Sequence, residues 1–307
     1  MLSLPYRVVV GGESIVVREP SSPRDYRELM DVQIRIWGMP DYSEAVTYHA
    51  LIAAHRNGGV VLGAFRESNA AAVGLVYSFP GYERGSIYLY SHLTGVVPEH
   101  RYRGLGYVLK RAQRALALEK GYSLVKWTFD PLRSSNAYFN LAKLGVVVRK
   151  FYPDYYGELA DEINRGMPTD RVIAEWWIDS PRVSGIVEKG ARATVDPEKL
   201  AELNPLNAVS VRYDGQLPII TGYRLEHSSE VVVVEIPGDI EPIRRNKPEL
   251  LLEWRKALRA IFEYYLNKLG YVVVGYTILH EEGRKRGLYV LWKRSLEEVL
   301  EGNYLWK

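Results

Sequence analysis

Cysteine is absent from the 307 residues. Its absence removes disulfides, thiolate nucleophiles, cysteine-ligated zinc and iron–sulfur clusters together, so any chemistry must come from other side chains. Long apolar runs are also missing. No uninterrupted segment approaches a membrane span, and the opening Met1–Arg7 has no basic stretch followed by an apolar core, so a cytoplasmic protein with no membrane partner is expected. Excess charge is lacking too: 40 basic side chains face 37 acidic ones, a net of +3. That balance does not drive sequence-independent binding to a phosphate backbone, and nucleic acid is not an expected partner.

What is present is the composition of a globular protein, 47% hydrophobic and 25% charged, long enough for two medium domains. We divide it at Ser180-Pro181, into residues 1–180 and 181–307. The first part reads as mixed α/β. Strand Ser14–Arg18, helix Asp25–Ile36, helix Glu44–His55, a hairpin of Val60–Phe65 and Ala71–Phe79, and strand Ser86–Val97 lead to a glycine-containing loop. A helix to about Lys120, strand Leu124–Phe129, helix Ser134–Leu144 closed by Gly145 and strand Val146–Phe151 follow, then strand Arg171–Ile178. Beyond the division come a connector with a helix at Pro197–Leu203, strands Ala208–Tyr213 and Val231–Ile236, helix Pro248–Leu269, and strands Tyr271–Leu279 and Gly287–Lys293. The second part is therefore a smaller α/β half that repeats the order strand, helix, strand. On its helix, Trp254, Leu258, Ile261, Phe262 and Tyr265 form a core stripe.

The sharpest local signal is Arg101-x-x-Gly104-x-Gly106 between a strand and a helix. Glycines there let backbone N–H groups approach a pyrophosphate, and the helix N-terminus favours the negative charge. A dinucleotide fingerprint would need a third glycine where Leu109 stands, and a P-loop needs Gly-Lys-Ser/Thr, which is absent.

Arg101-Tyr102-Arg103-Gly104-Leu105-Gly106, with Gly95-Val96-Val97-Pro98 before it and Asn136-Ala137-Tyr138-Phe139-Asn140-Leu141 later, resembles the acyl-coenzyme A signature of the GNAT superfamily over about residues 10–178. The C-terminal half makes the chain similar to an uncharacterised branch, with a second half resembling a degenerate GNAT-like unit. The resemblance implies a mixed sheet flanked by helices and acetyl-CoA or another acyl-CoA as co-substrate. It implies contacts to that coenzyme from Val96, Val97, Arg101, Tyr102, Arg103, Gly104, Leu105, Gly106, Asn136 and Phe139, the strand near Val96 and Val97 pairing with the pantetheine arm. The activity it implies moves an acetyl or small acyl group to a primary amine by direct attack in a ternary complex. The acceptor is an amino acid, small amine or peptide, and a homodimer is allowed. A non-enzymatic sensor or scaffold that binds acyl-CoA is the alternative.

One departure bears on mechanism. The tyrosine that many members place four residues before the closing glycine is Leu141 here, leaving Tyr138, Tyr155 or Tyr156 as substitute acids. Aminolysis needs a neutral amine. His92 is the base best placed for it, on a strand whose alternation puts Tyr88, Tyr90, His92 and Thr94 on one face. His92 stays open to two readings, a base facing the substrate or a buried histidine bonded to backbone. Glu99 and Asp130 are weaker bases. Arg101, Arg103, Lys110 and Arg111 form a basic cluster that would meet phosphates. No histidine pair has metal-ligand spacing with a supporting carboxylate, so no metal is expected.

Overall fold

A computed structural model of the chain describes residues 2–101, 103–159, 166–190 and 193–302. Its contacts divide it into two compact units. One runs to Trp127 and includes Leu159 and Gly166; the other takes Thr128–Glu158 and Met167 onward. Both are mixed α/β, with mostly antiparallel strands flanked by helices.

The first unit begins with a hairpin of β1 (Tyr6–Val10) and β2 (Glu13–Arg18). The sequence reading omits β1, whose outward residues, such as Val9, leave its alternation weak. Ser22 accepts from the Asp25 amide and Pro23 occupies the first turn, starting α1 (Pro23–Trp37). Thr47 caps α2 (Tyr48–Arg56). The meander β3 (Val60–Arg66), β4 (Ala72–Glu83) and β5 (Ser86–Val96) follows, then α3 (Leu105–Glu119) and β6 (Leu124–Phe129). Strands neighbour one another in chain order from β1 to β6, and only β5 with β6 is parallel. Leu105, Leu109, Ala112 and Leu116 bury one stripe of α3.

The second unit opens with α4 (Ser134–Ala137), which widens into a π turn at Tyr138–Lys143 before Gly145 and β7 (Val147–Tyr152). Next come β8 (Arg171–Trp177), α5 (Pro181–Val187), α6 (Pro197–Glu202), β9 (Leu206–Asn207), β10 (Val209–Asp214) and β11 (Leu217–Tyr223). The unit ends with β12 (Val231–Pro237), α7 (Glu241–Asn246), α8 (Pro248–Phe262) with a π turn at Glu263–Lys268, β13 (Val272–Glu281), β14 (Arg284–Trp292) and α9 (Leu296–Leu300). Its strands lie in the order β8-β7-β13-β14-β12-β9, with β10 and β11 forming a separate hairpin. The expected stripe Trp254, Leu258, Ile261, Phe262 and Tyr265 is buried throughout. Ser180-Pro181 is a helix start, Ser180 Oγ accepting from the Val183 amide at 3.3 Å.

Candidate active site

The first unit presents a strand, a tight loop and a helix in succession. Val97 donates to the Val73 carbonyl at 3.0 Å and closes the β4–β5 ladder, a short 3-10 turn covers Pro98–His100, and Gly104 starts α3 with φ +90°. That left-handed conformation suits glycine and strains any residue bearing a Cβ. Space is open where it counts: a Cβ on Gly104 would touch nothing within 4 Å, and one on Gly106 would meet only Val96 Cγ2 at 4.0 Å. The Tyr107 and Val108 amides donate back to the Gly104 carbonyl, at 3.0 and 3.2 Å, while the amides before them have no helical acceptor. An exposed cradle of backbone donors at the head of a fifteen-residue helix fits a pyrophosphate. Leu105 is fully buried and anchors the turn.

The loop arginines differ from one another. Arg103 is exposed and lies over Gly11, where a Cβ would collide with its guanidinium. Arg101 turns inward, donating from Nε to the Val96 carbonyl at 3.3 Å and from Nη2 to the Ile36 carbonyl. Two of its donors thus hold the end of α1 to the end of β5. Tyr102 lies outside the described residues. Val96 and Val97 are buried. Lys110, expected among the phosphate-facing bases, is instead 2% exposed.

Beside this loop β5 parts from β6. Their parallel ladder has two rungs among the described residues, Leu89 with Val125 and Tyr90 with Lys126. Past Tyr90 the open edge of β5 leads back towards Val96 and the loop, an edge to which an extended arm can add as a strand would.

At the closed end of that gap the register of β4 and β5 slips. Ser78 pairs with Ser91 and Tyr77 with Leu93, so His92 is the extra residue of a bulge. The bulge corrects the expected alternation: Thr94 falls with Ser91, their hydroxyl oxygens 3.4 Å apart, and leaves the His92 face. His92 itself reaches the surface, with part of its ring enclosed by its neighbours. The rings of Tyr77, Phe79 and Tyr90 stand 5.8, 6.0 and 6.2 Å from its imidazole. Desolvation by partial burial lowers its pKa below the ordinary histidine value.

The remaining candidates are distributed differently. Glu99 pairs with Arg35 and lies 3.7 Å from Arg66, a surface ion-pair group. Asn136, Tyr138 and Phe139 belong to the second unit, where Tyr138 begins the π turn and Leu141 is fully buried. Asp130, also in that unit, is buried against Arg255 with paired bonds of 2.6 and 2.9 Å, a structural ion pair rather than a base. The rings of Tyr155 and Tyr156 meet edge-on at the surface, their centroids 4.6 Å apart. Among the described residues, no group of three or more metal-ligating side chains gathers, and no helix is long and apolar enough to cross a membrane.

The sequence matches no family model and no curated protein. Many GNAT acetyltransferases of known structure are similar to about half of the chain. A GNAT-family acetyltransferase of Streptococcus pneumoniae shares 17% identity, covering 52% of this chain and 98% of its own, with a TM-score of 0.42. A GNAT phosphinothricin acetyltransferase of Sinorhizobium meliloti, solved with acetyl-CoA, shares 16% over 52% of this chain and 86% of its own, at 0.42. A putative acetyltransferase of Salmonella typhimurium with its cofactor acetyl-CoA shares 16% over 54% and 94%, at 0.41.

Proposed function

We propose that the protein is an acyl-CoA-dependent N-acyltransferase, carrying an acetyl or small acyl group to a primary amine. The observation that carries this reading is the open cradle at Gly104 and Gly106 beside a parted strand edge, a pairing of donors that suits a pyrophosphate followed by an amide-bearing arm. In this reading the amides of Arg103–Gly106 hold the pyrophosphate, and the arm runs back along β5 from Val96 towards Tyr90.

The amine attacks the thioester carbonyl directly, its nitrogen–carbon bond replacing the carbon–sulfur bond, and the thiolate departs. His92, neutral near pH 7 because its pKa is lowered, takes the proton of the incoming ammonium. A thiolate leaves without full protonation, its conjugate acid having a pKa of about 8.5. A strong general acid is therefore dispensable, which accommodates Leu141. The acceptor would be an amino acid, a small amine or a peptide.

Leu141 also favours the second reading, an acyl-CoA-binding sensor without turnover. Thiol release from acetyl- and succinyl-CoA, screened against amino acids, polyamines and peptides, separates the two. Release that depends on an amine supports the transferase. Tight coenzyme binding with no release across the panel supports the sensor, and absence of coenzyme binding rejects both.

A further inference from the structure

Where the gap closes, hydroxyls and aromatic rings take opposite faces of the sheet. Ser78 and Ser91 point to α3, whose Gln113 Nε2 donates to both, at 2.7 and 2.9 Å, so the helix covers that face. Alternation sends their strand neighbours the other way. Tyr77 and Phe79 on β4 and Tyr90 and His92 on β5 gather there as a continuous patch of rings. Phe79 stands 5.7 Å from Tyr77 and 5.4 Å from Tyr90, and all three stand within 6.2 Å of His92. Tyr77 is buried, Phe79 and Tyr90 are half-buried, and His92 reaches the surface.

This patch restricts the amine. An acyl group carried down β5 to the last rung, Tyr90 with Lys126, is met from the face that α3 leaves open, beside His92. The substituent on the attacking nitrogen then lies against the rings. A ring face carries partial negative charge, so it attracts an ammonium and the positive edge of another ring and repels a carboxylate. No charged side chain among the described residues contributes to the shift in the His92 pKa, which comes from desolvation. Lys126, on the last rung, is engaged by Glu83 at 2.5 Å and lies 4.4 Å from the centre of the Tyr88 ring. The α-carboxylate of an amino acid, held close to its nitrogen by covalent geometry, would therefore lose water here without gaining a counter-charge. An aliphatic amine would forgo the ring contacts.

We propose that the acceptor is a primary amine borne on an aromatic side arm and lacking a carboxylate, an aralkylamine, with Phe79 and Tyr90 as its recognition surface; this rests on the acyltransferase reading of the site and narrows its acceptors.

Thiol release from acetyl-CoA, compared as kcat/KM for phenethylamine, phenylalanine and butylamine, tests it. Phenylalanine adds the carboxylate and butylamine lacks the ring. Phenethylamine should exceed each by at least about tenfold, as burial of one ring against others allows. Phe79→Leu keeps hydrocarbon but removes a ring, and should lower the phenethylamine-to-butylamine ratio at least about threefold, through KM. Tyr90→Leu serves where that variant does not fold, and where neither folds the wild-type ratios decide. A wild type that uses phenylalanine or butylamine as well as phenethylamine, or a folded variant that keeps the ratio, overturns the aralkylamine assignment and leaves the transferase standing. Release with polyamines or peptides but not with phenethylamine does the same. Coenzyme binding with no release for any amine overturns the transferase reading and this inference with it.

Discussion

Val148 on β7 and Val273 on β13 pair across an antiparallel seam, and the sequence separation between them also carries Leu144-Gly145 onto Leu269-Gly270. The likeness extends to backbone detail. Each glycine takes a left-handed φ, +76° and +73°. Each follows a π turn closed by equivalent bonds, Leu144 to the Phe139 carbonyl at 3.2 Å and Leu269 to the Tyr264 carbonyl at 3.0 Å. Each leads into a strand that pairs antiparallel with the next, β7 with β8 and β13 with β14. The second unit therefore contains two helix-to-hairpin elements that share these backbone features. The Arg101–Gly106 glycine loop has no counterpart after β12. A Cβ on Gly238, after β12, would stand 2.4 Å from the Lys285 carbonyl oxygen, so backbone fills the space that is open at Gly104.

This contrast defines the first prediction. Gly106→Val adds a side chain into the open cradle without demanding a left-handed backbone, and should weaken coenzyme A binding by about tenfold or more while the thermal midpoint holds. Gly104→Ala adds strain of about 1–2 kcal/mol, because its φ is +90°. Gly222→Ala, where a Cβ meets nothing within 4 Å, is the control and should bind as wild type. Calorimetry with parallel melts checks all three, and unchanged affinity in Gly106→Val places the coenzyme elsewhere.

A second prediction concerns Asn267, in the π turn after α8. Its side chain accepts from the Phe151 amide at 3.1 Å and donates to the Phe151 carbonyl at 2.8 Å, clamping β7 just after the β7–β8 register shifts. Asn267→Leu orphans both backbone groups, at a cost of about 2–4 kcal/mol, since a buried unsatisfied group loses about 1–3 kcal/mol. Asn267→Asp keeps the acceptor and loses the donor, and should fall between. Urea unfolding measures the order; a leucine variant as stable as wild type refutes the clamp.

The legible parts of this molecule were those written in local pattern. Arg101-x-x-Gly104-x-Gly106 announced the strand, loop and helix because glycine spacing reports backbone conformation directly. The α8 stripe announced its buried face through helical period. What was not legible depended on register and on packing across the chain. A bulge at His92 turned Thr94 to the other face, and nothing in the tripeptide signals an extra residue. Lys110 reads as a phosphate-facing base beside Arg111, and only its phase next to Leu109 and Gln113 hints at burial. Asp130 reads as a turn residue because its partner, Arg255, is distant in sequence. Short helices such as α7 were missed within a proline-containing stretch that looks like loop.

The third prediction follows from the His92 surroundings. Desolvation lowers its pKa, so the neutral form that accepts a proton persists to lower pH than for a solvated histidine. The acid limb of the kcat/KM profile should therefore lie below the usual histidine range. His92→Gln should lower the rate by about a hundred- to ten-thousand-fold and erase that limb, with an unchanged melt because the ring is exposed. Wild-type turnover with an unaltered profile would transfer the role to Tyr90 or a bound water.

The last prediction uses the buried pair of Asp130 and Arg255. Burial alone would raise the Asp130 pKa, but the Arg255 guanidinium and the Leu132 amide, donating at 2.9 Å, more than offset it and hold the carboxyl below its usual range. Folding therefore depends on pH with a definite sign. In the unfolded chain the carboxyl titrates near 3.8, and in the folded chain lower. The stabilisation is thus full above the unfolded value and disappears as pH falls through the folded one. Arg255→Met removes both guanidinium bonds and leaves the carboxylate with Arg133 at 4.0 Å, and should cost at most about 3–5 kcal/mol at pH 7, a loss that should shrink in acid, where Asp130 protonates. Asp130→Asn/Arg255→Met removes both charges yet leaves an oxygen to accept from Leu132, so it should recover most of the loss at neutral pH. Urea unfolding of the two variants and wild type at neutral and acid pH tests this. A single variant whose penalty is the same at both, or a double variant no better than the single, would show that Arg255 acts through packing and not through the charge on Asp130.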